Sequence, residues 1–265
     1  MIGAIAGDVI GSPYEFRKIP EEGFRLFTKN SKFTDDTVLT VALADTILNN
    51  KDWIDTLHAY FSMYENGGFG GYFKKWCREK QREPYNSFGN GSAMRVSPVA
   101  WAYNTLPRVL SEAKISADAT HNHPEGVKGA QATAAAIFLA RTTKSKELIR
   151  YYINTHFYNL EITTVDKTRE YISGLKNRAP ACSCEWTVPP AINAFLDTDT
   201  FVDSIRMAIS IGGDTDTLAC ITGSIAEAYY GTIPKRLGEA VWRRLNPHLR
   251  KITINFYKAY IQKNK

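Results

Sequence analysis

An apolar run near the start of the chain reads Gly3-Ala4-Ile5-Ala6-Gly7-Asp8-Val9-Ile10-Gly11. Its three glycines stand four residues apart, so on a helix they share one face. A face without side chains lets another backbone approach closely, and we expect a second helix to pack there. Asp8 is the only acid in the run, and a buried acid needs hydrogen-bond partners. We predict that Asp8 is a buried hydrogen-bond anchor.

Helical periodicity continues along the rest of the chain, and alternating strand patterns are nearly absent, with 158–164 as the one weak candidate. Pro98 lies inside one helical stretch and predicts a kink or a late start there. No linker or fixed repeat divides the chain, so we predict an all-α fold, a compact orthogonal helix bundle forming a single domain over 1–265. The candidate helices are 36–48, 53–64, 92–103, 107–119, 125–142, 144–154, 164–175, 188–196, 200–210, 216–230, 237–242 and 246–262.

The composition is that of an ordinary globular protein with a mild positive charge. Apolar residues make up 44% of the chain and charged residues 23%, and the formal net charge is +6. Lys and Arg are densest over 235–251, where they recur at about helical spacing. This pattern favours a solvated helix face, with a phosphate-steering patch as the second interpretation. Nucleic-acid binding is the weaker alternative for the overall charge.

The N-terminal segment and the cysteines bear on the cellular compartment of the protein. The apolar start is short, lacks basic residues and contains Asp8, so we expect no secretory leader, and no stretch is long enough to span a membrane. The four cysteines therefore indicate reduced thiols in a cytoplasmic protein. Cys182 and Cys184 lack a second pair or a nearby His, which favours a structural loop over a metal site. We expect a monomer.

Two acidic clusters, Thr34-Asp35-Asp36-Thr37 and Asp214-Thr215-Asp216-Thr217, lie roughly 180 residues apart. Helix capping would explain one acid of the first cluster but not both. The helix after the second cluster has the composition of a buried one, and buried carboxylates without countercharge are costly. No Lys or Arg is near in sequence, which favours a metal over a distant arginine. Oxygen ligands of this kind suit Mg²⁺ or Mn²⁺ better than Zn²⁺.

Three further segments carry groups that a ligand site uses. The loop Phe88-Gly89-Asn90-Gly91-Ser92 precedes a helix, a common but unspecific phosphate-binding pattern. His121 and His123 have three interpretations: metal ligands, rings that contact a bound ligand, or, for His123, a helix cap. Glu15 follows the first helix on a loop, where a surface acid and a catalytic acid are both consistent with the residues.

In this order, the segments resemble the ADP-ribosylglycohydrolase family. The ordered set is far more specific than any one motif, and it covers most of the chain. It implies an all-α fold around a binuclear Mg²⁺ centre. It also implies a hydrolase that cleaves the glycosidic bond between ADP-ribose and an acceptor. The motifs are Gly7-Asp8-x-x-Gly11, Thr34-Asp35-Asp36-Thr37, Gly89-Asn90-Gly91, Thr120-His121 and Gly212-Gly213-Asp214-Thr215-Asp216-Thr217.

The resemblance implies roles by position. Two Mg²⁺ ions, or Mn²⁺, would be held by oxygen atoms from both acidic clusters. The implied ligands are Thr34, Asp35, Asp36, Asp214, Asp216 and Thr217. The implied substrate contacts are Phe88, Gly89, Asn90, Gly91, Ser92 and His121. Glu15 is the first candidate for the catalytic acid or base, and Asp36 is the second.

The implied partner is an ADP-ribosylated protein or another ADP-ribose conjugate. The acceptor stays open among arginine, serine, a nucleic-acid base and a small molecule, although the run Gly11-Ser12-Pro13-Tyr14-Glu15 resembles the serine-type members. Two other functions stay open: a non-catalytic relative like the lens crystallins of this family, and a Mg²⁺-dependent nucleotide phosphohydrolase. Oxygen-bearing side chains occupy all six implied ligand positions, which favours an enzyme.

Overall fold

The computed structural model describes residues 1–20, 23–177 and 179–262. Over these residues the chain is helical and has no β-strand, which confirms the all-α prediction. None of the described helices is long and apolar enough to traverse a bilayer. The helices are α1 Ile2–Gly11, α2 Asp35–Asn49, α3 Trp53–Met63, α4 Gly71–Arg78, α5 Gly91–Met94, α6 Ser97–Ala102, α7 Leu106–Asp118, α8 Pro124–Thr143, α9 Lys146–His156, α10 Val165–Ser173, α11 Cys184–Leu196, α12 Phe201–Ser210, α13 Thr215–Tyr230, α14 Lys235–Arg244 and α15 Pro247–Phe256.

The glycine face of α1 packs directly on α13. A Cβ atom built on Gly7 would lie 1.9 Å from the carbonyl oxygen of Ala219, and one built on Gly3 would lie 2.1 Å from that of Gly223. No side chain fits at these points, so the glycine spacing sets how closely the two helices approach. The partner expected for the N-terminal run is therefore the helix that begins at the second acidic cluster.

Helix α13 is the centre of the bundle. Its residues 215–228 are all buried, and it contacts α1, α8, α11 and α12. Neighbours around the whole circumference explain why its sequence is small or apolar at nearly every position instead of on one face. A single cluster of buried apolar side chains includes residues from all five helices. The acids at the start of α13 are consequently drawn into the interior.

The strand candidate at 158–164 is wrong, because the segment forms turns. The backbone N–H of Glu161 donates to the side-chain oxygen of Asn159 at 3.0 Å. The side-chain amide of Asn193 on α11 donates to the carbonyl oxygens of Leu160 and Thr163, both at 2.9 Å. These hydrogen bonds satisfy backbone groups that a strand would have paired with a neighbour.

The structure corrects two helix predictions and adds one helix that was not predicted. The stretch 92–103 is two helices, α5 and α6, and Pro98 lies in the first turn of α6, so the late start is confirmed. Helix α4 was not predicted; it begins at Gly71, the last residue of the run Asn66-Gly67-Gly68-Phe69-Gly70-Gly71. Helix α11 begins at Cys184 instead of at residue 188. It contains Pro189 and Pro190 in its interior, although proline usually marks a helix boundary.

The basic run at 235–251 lies on α14 and α15. Arg236, Arg243 and Lys251 are exposed, as a solvated face requires. Arg244 differs, because its Nε donates to the carbonyl oxygen of Ser31 at 3.2 Å and its guanidinium lies over an aromatic ring. The run is thus mostly solvated, and one of its cations fastens α14 to the segment that leads into α2.

Candidate active site

The two acidic clusters stand at the N-terminal ends of two helices. Thr34 is the N-cap of α2, and its hydroxyl oxygen accepts a hydrogen bond from the backbone N–H of Asp36 at 3.4 Å. Asp214 is the N-cap of α13 and follows Gly212 and Gly213, whose φ angles are +82° and +72°. Glycine adopts this left-handed backbone without strain. Both clusters therefore lie where a helix presents partial positive charge, which stabilises carboxylates.

Asp8 holds the first cluster in position from α1. Its fully buried carboxylate accepts hydrogen bonds from the backbone N–H and hydroxyl of Thr34, at 2.9 and 2.7 Å. It also accepts from the backbone N–H of Thr37, at 3.1 Å, and from the Thr37 hydroxyl. Four donors satisfy the acid despite its burial. The prediction of a buried hydrogen-bond anchor is confirmed.

The fold brings Glu15 together with the second acidic cluster. Carboxylate oxygens of Glu15, Asp214 and Asp216 lie within 4.8 Å of one another, close enough to share one metal ion. Glu15 is exposed, whereas Asp214 and Asp216 are buried. The three acids therefore form a centre that is open to solvent on the Glu15 side.

The first cluster lines the same cleft as the second, and the acids of the two clusters raise one another's pKa values. Burial, then the charges of Asp214 and Asp36, raises the pKa of Asp216 well above its ordinary value. Burial, then the charges of Asp8 and Asp35, raises the pKa of Asp36 in the same way. Burial raises the pKa of Asp35 to about 8. Acids that oppose one another's ionisation become stable together when a cation lies among them.

One carboxylate oxygen in this centre lacks a partner. Oδ1 of Asp36 is buried, and it accepts no hydrogen bond from any residue in the described part of the chain. A buried oxygen left unpaired costs free energy. The neighbouring donors are carboxylates and hydroxyls, the ligand type that Mg²⁺ and Mn²⁺ prefer. The residues present therefore fit a metal ion.

The glycine-rich loop at 88–92 lies beside the acidic centre, and Asn90 links the two. The side-chain amide of Asn90 donates to Oδ2 of Asp214 at 2.8 Å and to the hydroxyl of Thr187 at 3.0 Å. Its backbone N–H donates to the carbonyl oxygen of Cys182 at 2.8 Å. Asn90 is thus held on both sides, which fixes the loop relative to the start of α13.

His121 faces the same loop. A Cβ atom built on Gly91 would lie 2.9 Å from Nε2 of His121, so the imidazole lies directly against the glycine. Burial, then the charge of Arg95, lowers the pKa of His121 well below its ordinary value. The ring is therefore neutral at physiological pH.

A cleft of about 680 Å³ unites these parts. This volume lies within the range of small-molecule sites. Nearly all the site residues proposed from the sequence line it. They are Glu15, Thr34, Asp35, Asp36, Gly89, Asn90, Gly91, His121, Asp214, Asp216 and Thr217.

Two expected substrate contacts do not line the cleft. Ser92 is fully buried, and its hydroxyl donates to the carbonyl oxygen of Gly126 at 2.7 Å. Phe88 is 53% exposed, and its ring meets that of His123 edge to face, with centroids 5.8 Å apart. Since Ser87 and Gly89 line the cleft on either side of it, Phe88 stands next to the cleft. His123 also caps α8, accepting from the backbone N–H of Glu125, as its third interpretation proposed.

Comparison with known proteins agrees with the family resemblance of the sequence motifs. A model of the ADP-ribosylglycohydrolase family matches residues 1–263. The chain belongs to the ADP-ribosylglycohydrolase family. It is thus a hydrolase of glycosidic bonds. ADP-ribosylhydrolase ARH3 of Homo sapiens is 29% identical to this chain in an alignment of length 308. The match covers 87% of this chain and 84% of that protein.

Two further similarities cover more of this ADP-ribosylglycohydrolase. The ADP-ribosylarginine hydrolase Tri1 of Pseudomonas putida is 24% identical to this chain in an alignment of length 295. The match covers 95% of this chain and 75% of that protein. A solved structure of an ADP-ribosylglycohydrolase-related protein complex has a TM-score of 0.69 at 22% identity, over 97% of this chain and 96% of that one. The second similarity establishes the fold.

Several cleft residues of this ADP-ribosylglycohydrolase were not predicted, among them Tyr85, Arg95 and Cys182. Tyr85 lines the cleft with its ring centroid 5.9 Å from that of His121, and nothing around it in the sequence signals this. Arg95 is fully buried beside Tyr85 and His121. The feature of the sequence that could have indicated its role is a lone charged residue within an apolar stretch. Cys182 lies at the cleft, where burial and then the charge of Asp214 raise the pKa of its thiol.

Proposed function

We propose that this chain is a Mg²⁺-dependent hydrolase that releases ADP-ribose from a serine or arginine side chain of a modified protein. The observation that carries the proposal is the meeting of both acidic clusters, Glu15 and the glycine-rich loop in one cleft. Glycosidic cleavage needs a site that fixes the sugar, stabilises charge and handles one proton. The cleft brings together residue types for all three tasks.

The acidic centre is the proposed metal site, for two Mg²⁺ ions or for Mn²⁺. When bound, such ions stabilise developing negative charge as Lewis acids and orient the sugar hydroxyls. The unpaired oxygen of Asp36 and the convergent oxygens of Asp214 and Asp216 support the assignment. The proposed ligands are Thr34, Asp35 and Asp36 from one cluster and Asp214, Asp216 and Thr217 from the other.

Glu15 is the proposed general acid or base. It follows the short turn Ser12–Tyr14, and the backbone N–H of the next residue, Phe16, donates to the carbonyl oxygen of Gly213 at 2.7 Å. This bond fastens the loop to the segment that carries Asp214. A carboxylate held there can deprotonate an attacking water or protonate the leaving group as an oxocarbenium-like transition state develops. Asp36 is the second candidate, since it lines the same cleft.

The loop from Gly89 to Ser92 is the proposed diphosphate site. Its two glycines carry no side chain that would obstruct a phosphate group, and Asn90 is fixed by Asp214. Because Ser92 is buried and its hydroxyl is bonded to a carbonyl oxygen, Gly89, Asn90 and Gly91 are the loop residues that we propose contact the diphosphate. Phe88 offers an exposed aromatic ring to the adenosine part of the substrate.

A panel of substrates tests the activity and the acceptor together. Arginine-linked, serine-linked and poly-linked ADP-ribose are each incubated with the enzyme in Mg²⁺ and in EDTA, and free ADP-ribose is measured. We expect release from at least one substrate in Mg²⁺ and none in EDTA. Phosphate release without free ADP-ribose would instead indicate a phosphohydrolase, and inertness towards every substrate in Mg²⁺ would indicate a non-catalytic relative.

Glu15→Gln isolates the proposed proton-transfer group. Removal of a general acid or base lowers the rate by about 10²- to 10⁴-fold, so we expect turnover to fall by that factor while calorimetric ADP-ribose affinity stays close to wild type. Glu161→Gln is the matched control, because Glu161 is an exposed loop acid that does not line the cleft. Near-normal turnover of Glu15→Gln would move the role to Asp36.

A further inference from the structure

A buried arginine without a carboxylate partner lines the cleft. Arg95 is fully buried, and no acid within the described ranges pairs with it. Its Nη2 donates to the carbonyl oxygen of Ser116 and to the hydroxyl oxygen of Thr120, both at 2.9 Å. Burial lowers the pKa of Arg95 to about 10, so the guanidinium is still charged at neutral pH. The buried charge is therefore shared between one backbone carbonyl oxygen and one hydroxyl oxygen.

The same hydroxyl contacts the histidine of the cleft. Oγ1 of Thr120 lies 2.7 Å from Nδ1 of His121. Guanidinium can only donate, so Thr120 must accept from Arg95. The hydroxyl oxygen has two lone pairs and one proton, and both Arg95 and the Tyr85 side chain hydrogen-bond to it. With these two groups donating to the lone pairs, the hydroxyl proton is directed to Nδ1, which then carries a lone pair. In that arrangement the proton of the neutral imidazole resides on Nε2.

Nε2 is the ring atom that faces the glycine-rich loop. A Cβ atom on Gly91 would lie 2.9 Å from it and one on Gly89 would lie 3.7 Å away. No residue of the described chain hydrogen-bonds to Nε2, and His121 lines the cleft. A neutral N–H donor aimed at a glycine loop suits an oxygen of a diphosphate.

We propose that Thr120 is a positioning residue which, oriented by Arg95, holds His121 as the Nε2–H tautomer so that Nε2 donates to a diphosphate oxygen of the ligand. The inference rests on the proposed function for the identity of that ligand, but the tautomer itself does not depend on any ligand. The groups that face the ring are Arg95 and Tyr85, together with Thr120. The carboxylates of the acidic centre are not among the causes of its pKa shift.

Nitrogen NMR of the imidazole in the ligand-free protein tests the tautomer directly. We expect Nε2 of His121 to carry the proton and Nδ1 to show the shift of a hydrogen-bonded lone pair. Protonation of Nδ1 in the wild type would overturn the proposal, because Thr120 would then accept from the ring. This readout is independent of turnover, so it separates the failure of this inference from the failure of the proposed function.

Two substitutions test whether the hydroxyl matters for the ligand. Thr120→Val keeps the shape and removes the hydroxyl; we expect the Nδ1 hydrogen-bond shift to vanish and ADP-ribose to bind about tenfold more weakly, the effect of one lost hydrogen bond. Thr120→Ser restores the hydroxyl, and we expect affinity and shift to return. Equal affinity of Thr120→Val and wild type, or equal weakness of both variants, would refute the role.

Thr133→Val is the matched control. Thr133 is a buried threonine on α8 whose hydroxyl has no hydrogen-bond partner in the described residues, and it does not line the cleft. We expect the NMR signals of His121 and the ADP-ribose affinity to be those of the wild type. Losses in this variant equal to those of Thr120→Val would assign the effect to general disturbance of the core and overturn the proposal.

Discussion

Gly7→Ala tests the contact between α1 and α13 that holds the acidic centre together. The added Cβ would lie 1.9 Å from the carbonyl oxygen of Ala219, 2.3 Å from its carbonyl carbon and 2.6 Å from the backbone nitrogen of Cys220. All three atoms belong to the backbone of a central helix, so no side chain can rotate away. The helices would have to separate by roughly 1.5 Å to reach ordinary contact distance.

The expected loss combines two opposing terms. Overpacking a rigid interior costs up to about 3 kcal/mol in typical cases. Alanine in place of a helical glycine returns about 1 kcal/mol through backbone entropy. We therefore expect the free energy of unfolding to fall by about 2 kcal/mol, measured by urea titration followed by circular dichroism. Activity should fall as well, since Asp8 lies on α1 and Asp216 on α13.

Gly238→Ala is the matched control for this prediction. Gly238 lies within α14, and a Cβ there would meet only Ile233 side-chain carbons at 3.6 and 3.7 Å, an ordinary contact. We expect this variant to be as stable as the wild type or more stable by about 1 kcal/mol. If Gly7→Ala were equally harmless, the close approach of α1 and α13 would not be what stabilises the fold, and the reasoning would be refuted.

Three further predictions concern the cleft. Asp36→Asn removes a buried charge at similar volume; we expect the Mg²⁺-dependent rise in melting temperature to disappear, while in EDTA the variant is at least as stable as wild type because repulsion is relieved. An unchanged response to Mg²⁺ would rule Asp36 out as a ligand. Gly91→Ala presses a methyl group on His121, and calorimetry should show ADP-ribose binding about tenfold more weakly; wild-type affinity would contradict the placement of the ring. For His121→Gln, urea titrations at pH about 6.5 and 5.5 should show that the wild type loses about 1 kcal/mol more than the variant, because unfolded histidine takes up a proton at its ordinary pKa while the folded ring stays neutral; parallel losses would show that the folded ring is protonated too.

The sequence was most informative where local chemistry and packing agree. Asp35 and Asp214 stand at helix starts, where capping and the helix dipole both favour an acid, so their positions were predictable. The glycines of α1 predicted a close helix, and the buried acid among them predicted its own hydrogen bonds. Which helix would pack there depended on a contact across the whole chain, and no local pattern specifies that.

The misses share a tertiary cause. The turn segment at 158–164 is held by Asn193, and α4 is stabilised by the burial of Phe73 and Trp76. The position of Arg95 depends on the packing of α5 beside the turn that contains Thr120, and no local pattern specifies that packing. The single-domain extent, the monomeric state and the cytoplasmic location stay predictions.

The meeting of α1 and α13 also constrains the order of events during synthesis. The hydroxyl of Thr215 donates to the carbonyl oxygen of Gly11 across 204 residues of sequence. At 5–20 residues per second, the ribosome needs about 10–40 s to make the chain between them. Throughout that time the nascent protein carries an apolar helix without its main partner. Chaperone access to α1, and the speed of translation between the two helices, therefore bear on how much active enzyme a cell obtains.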